Sequence, residues 1–178
     1  MHKLNALRAF EKTANHWAED LMNYEESELY LSPAVNEWCL AELYDHIMRV
    51  GRTYQLPNFH RCLNNDIVKG KPKNIKAYII FDLNILPYRK IKMQSFPPEI
   101  VTNFTPQKRK KQALIEDFNV FIEEVKDAWK LLENFDKNKK HYHPFFGMIN
   151  AKEWYALVEI HMRHHIPQKK RLEKLFHA

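Results

Sequence analysis

Apolar residues recur at helical spacing over four long stretches of the chain. The first runs from about Leu4 to Ser27, with Leu4, Leu7, Phe10, Ala14, Trp17, Leu21 and Tyr24 on one face. The second opens near Asn36 or Glu37 and carries Leu40, Leu43, Tyr44, Ile47, Val50 and Tyr54 until Pro57 ends the pattern. The third follows Thr105-Pro106, a capping residue with proline at the first helical position, and continues to about Phe135. The fourth opens at Asn150, with Glu153 three residues on as in a capping box, and reaches about Phe176. Between the second and third, Ala77 to Leu86 fits a helix or a strand, and helix is favoured. Pro87, Pro97, Pro98 and Pro106 then predict an extended crossover loop. The pattern predicts an all-α chain, residues 1–178 forming one four-helix bundle with a long connection between helices two and three.

Composition narrows the functional classes. The chain has 178 residues, 45% of them hydrophobic and 28% charged, which is enough to bury a core without covalent staples. Only 3 glycines argue against turn-rich β folds and glycine-cradled phosphate sites. Cys39 and Cys62 are too few for a disulfide framework and read as thiols in a reducing compartment. The first residues lack an apolar leader and no stretch is long enough to span a bilayer, so a cytoplasmic protein is expected. The net charge of +6 raises the question of nucleic acid. The lysines, however, gather near expected loops and helix ends rather than along one helix face, which argues against specific nucleic-acid binding.

The polar exceptions to the apolar pattern carry the chemistry. His161 and His165 stand four residues apart, roughly 40° apart on the helix surface, the spacing at which two side chains grip one cation. The same wheel places Trp154, Leu157, Val158, Leu172 and Leu175 on that face, with His164 and Gln168 beside them, while Glu159, Arg163 and Lys170 point away. His46, at the border of the apolar face of the second helix, is the best third ligand, because bundles build metal sites from facing helices. Spacing alone leaves two readings open: a divalent-metal site, or core histidines satisfied by hydrogen bonds. Zinc, nickel and iron all suit imidazole. His164 fits a ligand-orienting group, a general base or a satisfied histidine; His143, in the loop before the fourth helix, is the next candidate base. Glu42, one turn before His46, is placed either to orient that imidazole or to face solvent.

Trp38-x-x-x-Glu42-x-x-x-His46, then His143-Pro-Phe-Phe-Gly147, Glu153-Trp154 and His161-x-x-His164-His165-x-x-Gln168, together resemble the DinB/YfiT-like superfamily of four-helix proteins. The resemblance covers most of the chain in layout and is most specific in its C-terminal third. It implies an up-down-down-up bundle holding a divalent metal through three histidines, which fall on His46, His161 and His165. It also implies a metal-dependent enzyme that activates water or a low-molecular-weight thiol against a small electrophile, of hydrolase or S-transferase type, with homodimers common. The alternative is a non-catalytic binding or stress-associated bundle. Two residues depart from the family pattern. Pro167 predicts a kink or restart just after His165. Cys39, where many relatives have serine or threonine, reads as a substitute cap or packing residue, or as a thiol activated by a helix N-terminus.

Overall fold

Burial of one apolar stripe per helix explains the architecture. The computed structural model describes residues 3–66, 70–86 and 98–177. Helix α1 spans Lys3–Asn23 and buries Phe10, Ala14, Trp17 and Leu21. Helix α2 (Leu40–Val50) passes through a π-helical turn at Gly51–Gln55 into α3 (Leu56–Asn64). A single turn, α4 (Ile75–Ala77), leads into a second π-helical turn at Tyr78–Asp82. Helix α5 spans Pro98–Phe104, α6 Lys111–Lys130 and α7 Ala151–Glu173. Before α7, β1 (Lys140–His143) and β2 (Gly147–Asn150) form an antiparallel hairpin, with His141 opposite Ile149.

Paired residues fix the helix directions. Thr13 meets Glu159 and Asp20 meets Lys169, so α1 and α7 run parallel. Lys111 reaches the Met22 carbonyl while the charge of Glu11 acts on Lys126, so α6 runs against α1. His46 faces His165 and Gln55 bonds the Leu157 carbonyl, so α2 runs against α7. Up-down-down-up is the result, and it is why helices two and three of the bundle need a long crossover between them.

Several local features differ from the sequence pattern, each for a physical reason. The second helix begins at Leu40, where Cys39 caps it: the Glu42 carboxylate accepts from the Cys39 N–H at 3.0 Å. Pro57 does not end it. The π turn lets the Leu56 N–H bond the Gly51 carbonyl, and Pro57 follows in the first turn of α3, where no N–H is required. Gly51 is needed there because a Cβ would overlap the Phe121 ring. Thr105 closes α5 instead of capping α6; its hydroxyl bonds back to the Val101 carbonyl at 2.8 Å. The expected crossover loop therefore contains a helix over Pro98–Phe104, while Pro87 and Pro97 lie outside the described residues. Helix α6 stops at Lys130 and gives way to a turn before Phe135. The residue pattern does not predict the hairpin; Gly147, at φ 76°, turns it against the Lys71-Pro72 backbone. Asn150 and Glu153 form the expected capping box.

Glu159, expected to point outward, is buried, where it accepts from Thr13 and pairs with Arg163. Helix α7 also continues through Pro167 without a break. Pro167 is exposed, so the carbonyl deprived of its N–H partner lies on the face that water reaches. Three residues on either side, His164 and Lys170 keep the same helix, and the buried Lys169 pins it to α1 through Asp20.

Candidate metal centre

His46 enters the bundle from α2, and His161 and His165 from successive turns of α7. One ring nitrogen from each can be chosen so that all three lie within 4.8 Å of one another. The His46 ring centroid is 5.1 Å from that of His161 and 5.1 Å from that of His165. The Nε2 atoms of His161 and His165 are 3.1 Å apart. Two nitrogens each about 2.0–2.1 Å from one ion are separated by roughly that distance.

The opposite edges of the rings decide which nitrogen is available. His46 Nδ1 lies 2.9 Å from the Phe104 carbonyl, which accepts a hydrogen bond from Nδ1–H and leaves Nε2 with the free lone pair. His165 Nδ1 lies 3.0 Å from Gln168 Oε1, with the same consequence. A carbonyl or carboxamide behind the ring is the usual support of a metal-bound imidazole. The Trp38 ring lies 4.7 Å from that of His46, tilted by 47°. Asp45, buried beside His46, accepts from the Gln107 N–H at 2.8 Å and pairs with Arg49 and Arg109, which fixes the chain just after Phe104. His161 Nδ1 has no hydrogen-bond partner despite being enclosed.

Electrostatics keep the cluster neutral. Burial lowers His46 to about 4 and His165 to about 3, with neighbouring imidazoles adding to the effect in both. His161 is driven well down by burial and by His165, His46 and His164. Three neutral, convergent imidazoles form a donor set that fits a late divalent cation and can hold one.

His164 lies on the outer flank, its ring 5.2 Å from that of His165. With Leu86, Arg163 and Pro167 it lines a cleft of about 250 Å³. Burial lowers its pKa as well. His143 sits elsewhere in the architecture: its ring packs on Phe146 at 4.6 Å and Trp154 at 5.1 Å. Its Nδ1 accepts from the Phe145 N–H, so the nitrogen that a base would use is occupied by the hairpin turn. Glu42 serves the α2 cap, and the Phe104 carbonyl takes the supporting place behind His46. Cys39 and Cys62 are buried, and burial raises both thiols, Cys62 to about 12. Neither is the activated thiol considered for Cys39.

Sequence patterns single out the three histidines but not their supports. Phe104 acts through a backbone carbonyl, which leaves no side-chain signature. Gln168 is visible as a polar residue on an apolar stripe and as the end of the family-like pattern, but without a role.

No protein-family model and no curated protein matches the chain. Among solved structures it is similar to YfiT from Bacillus subtilis, described as a probable metal-dependent hydrolase with an unusual four-helix bundle topology. The match has a TM-score of 0.60 and 14% identity, and covers 98% of this chain and 87% of that one. The likeness extends over nearly the whole chain, and the chain has the four-helix-bundle fold of that structure.

Proposed function

We propose that the protein is a divalent-metal-dependent enzyme of hydrolase type, with His46, His161 and His165 as the metal ligands. The observation that carries this reading is the convergence of three neutral imidazoles, two of them held by acceptors behind the ring. His46, His161 and His165, all neutral, would leave a bound divalent ion its full charge, which would supply the acidification that makes water or a thiol a nucleophile near neutral pH. The chain's own residues do the rest. His164, on the flank of the cleft, takes the proton from the nucleophile or returns it to the leaving group. Leu86 and Pro167 supply apolar walls for a small electrophile, and Arg163 is held in place by Glu159 and Asn84.

A low-molecular-weight thiol can take the place of water, which gives S-transfer instead of hydrolysis. Such a thiol comes from a cosubstrate, because Cys39 and Cys62 are buried and their thiols are raised.

The test is turnover by zinc- or nickel-loaded protein of activated esters, and of small alkylating electrophiles supplied with a thiol. Wild type should exceed the free metal, His161→Ala should lose both metal and activity, and His164→Ala should keep the metal but fall about 100-fold in kcat/KM. Loaded protein no better than free metal on both substrate classes would overturn the enzymatic reading. An unchanged His164→Ala would remove the base assignment.

A further inference from the structure

We infer that Gln55 is the residue that positions His161 for metal binding. The inference rests on the proposed metal site and extends it to a residue outside the histidine cluster.

A metal-bound imidazole presents one nitrogen to the ion and donates its other N–H to an acceptor, which fixes the ring and raises its basicity. That arrangement exists for His46 with the Phe104 carbonyl and for His165 with Gln168. His161 breaks the pattern: its Nδ1 is enclosed and partnerless. When Nε2 faces an ion, Nδ1 carries a proton and needs an acceptor, since a buried donor left unpaired forfeits the hydrogen bond it would make in water.

Gln55 offers one. Its side chain is buried, and its Nε2 donates to the Leu157 carbonyl at 3.1 Å. Leu157 lies one helical turn before His161, and helical side chains lean back toward that turn. The carboxamide therefore sits against the stretch of α7 from which the His161 ring projects. Its Oε1 is enclosed and has no donor among the described residues. Gln55 is thus held at the turn of α7 that precedes His161, with an acceptor still to fill, and the Nδ1 that an ion on Nε2 would turn into a donor belongs to the next turn.

Backbone geometry points the same way. Gln55 is the last residue of the π-helical turn that joins α2 to α3. A π turn inserts one extra residue and rotates the next helical segment, and such turns gather at functional sites. Here the turn delivers a glutamine to α7, while Arg52 of the same turn pairs with Asp117 and Glu124. Metal loading then brings Gln55 Oε1 and His161 Nδ1–H together, directly or across one water, while Gln55 Nε2 keeps its bond to Leu157. Gln55 acts through His161 and not on substrate; it is a positioning residue.

The test compares wild type, Gln55→Leu, Gln55→Met and Gln55→Glu by competitive chelator titration with zinc, by thermal melting of metal-free protein, and by NMR of the His161 ring in zinc-loaded protein. Wild type should bind zinc and show a slowly exchanging His161 Nδ1–H. Gln55→Leu should melt normally without metal, bind zinc about tenfold or more weakly, and lose that resonance. Gln55→Met covers the case in which the leucine variant fails to fold. Gln55→Glu, which retains an acceptor, should keep the affinity and the resonance. Wild-type zinc affinity in folded Gln55→Leu or Gln55→Met overturns this inference and leaves the metal site standing. No zinc uptake by wild type overturns the metal site, and this inference with it.

Discussion

His161 offers a perturbation whose sign separates a metal ligand from a core hydrogen-bonder. In metal-free protein its Nδ1 is enclosed without a partner, a penalty of about 1–3 kcal/mol. Replacing it with leucine, similar in size and apolar like the surrounding face, removes that penalty. The substitution also deletes the 3.1 Å Nε2–Nε2 contact with His165, which offsets about 1 kcal/mol. The net expectation is a metal-free His161→Leu protein between equal to wild type and about 2 kcal/mol more stable. At roughly 2–4 °C per kcal/mol for a chain of this size, the melting temperature rises by up to about 8 °C. Metal should reverse the order. At a free zinc concentration of about 100 times Kd, wild type gains about 2.7 kcal/mol and the variant gains nothing. The assay is a pair of thermal and urea melts for each protein, one set in chelator and one in excess zinc. If His161→Leu is clearly less stable than wild type in chelator, the histidine contributes packing and hydrogen bonding to the core. The functional explanation for its burial would then be wrong.

Three further outcomes are expected from the same structure. Gly51→Ala places a Cβ into the Phe121 ring at the π turn and should cost about 1–3 kcal/mol, measured as a lower urea midpoint at constant m-value. Asp45→Ala strands Arg49 and Arg109, and should cost about 2–4 kcal/mol because the carboxylate is buried while its partners are partly solvated. It should also weaken zinc binding, since Asp45 holds the Gln107 N–H just beyond the Phe104 carbonyl. Burial lowers His143 from 6.5 to about 3, so between those pH values the unfolded chain binds a proton that the folded chain refuses. Its contribution is present above pH 6.5 and lost as the pH falls, and in metal-free His143→Phe the decline of stability below that pH should be shallower by about 1.4 kcal/mol per pH unit. An unchanged slope would contradict the buried, neutral state.

The sequence exposed the parts of this molecule that depend on side-chain periodicity. The apolar stripes of α1, α6 and α7 and the Asn150–Glu153 capping box come directly from residue type and spacing. His46, His161 and His165 stood out because imidazoles are costly on an apolar face without a purpose. The hidden features depend on backbone. Strands of four residues in the hairpin give too short an alternation to register, and His141 and His143 disguise their buried positions as polar ones. The π turn at Gly51–Gln55 shifts the helical phase by one residue, which let Pro57 look like a terminator. Thr105-Pro106 carries the composition of a helix start, yet the threonine bonds backward to close α5. Glu159 looked solvent-facing because Thr13, which donates to it, lies on α1, 146 residues away, while its Arg163 pair on α7 has the form of a surface ion pair.

Metal content decides whether the three histidines form a metal centre. Protein purified without an affinity tag or added metal would be analysed for elements, together with His46→Ala and His161→Ala, and again after zinc or nickel is offered and the excess removed. Wild type should hold close to one divalent ion per chain, and either variant little or none although both remain helical. Wild-type protein that holds no metal and takes up none would contradict the centre, as would a variant that binds as tightly as wild type.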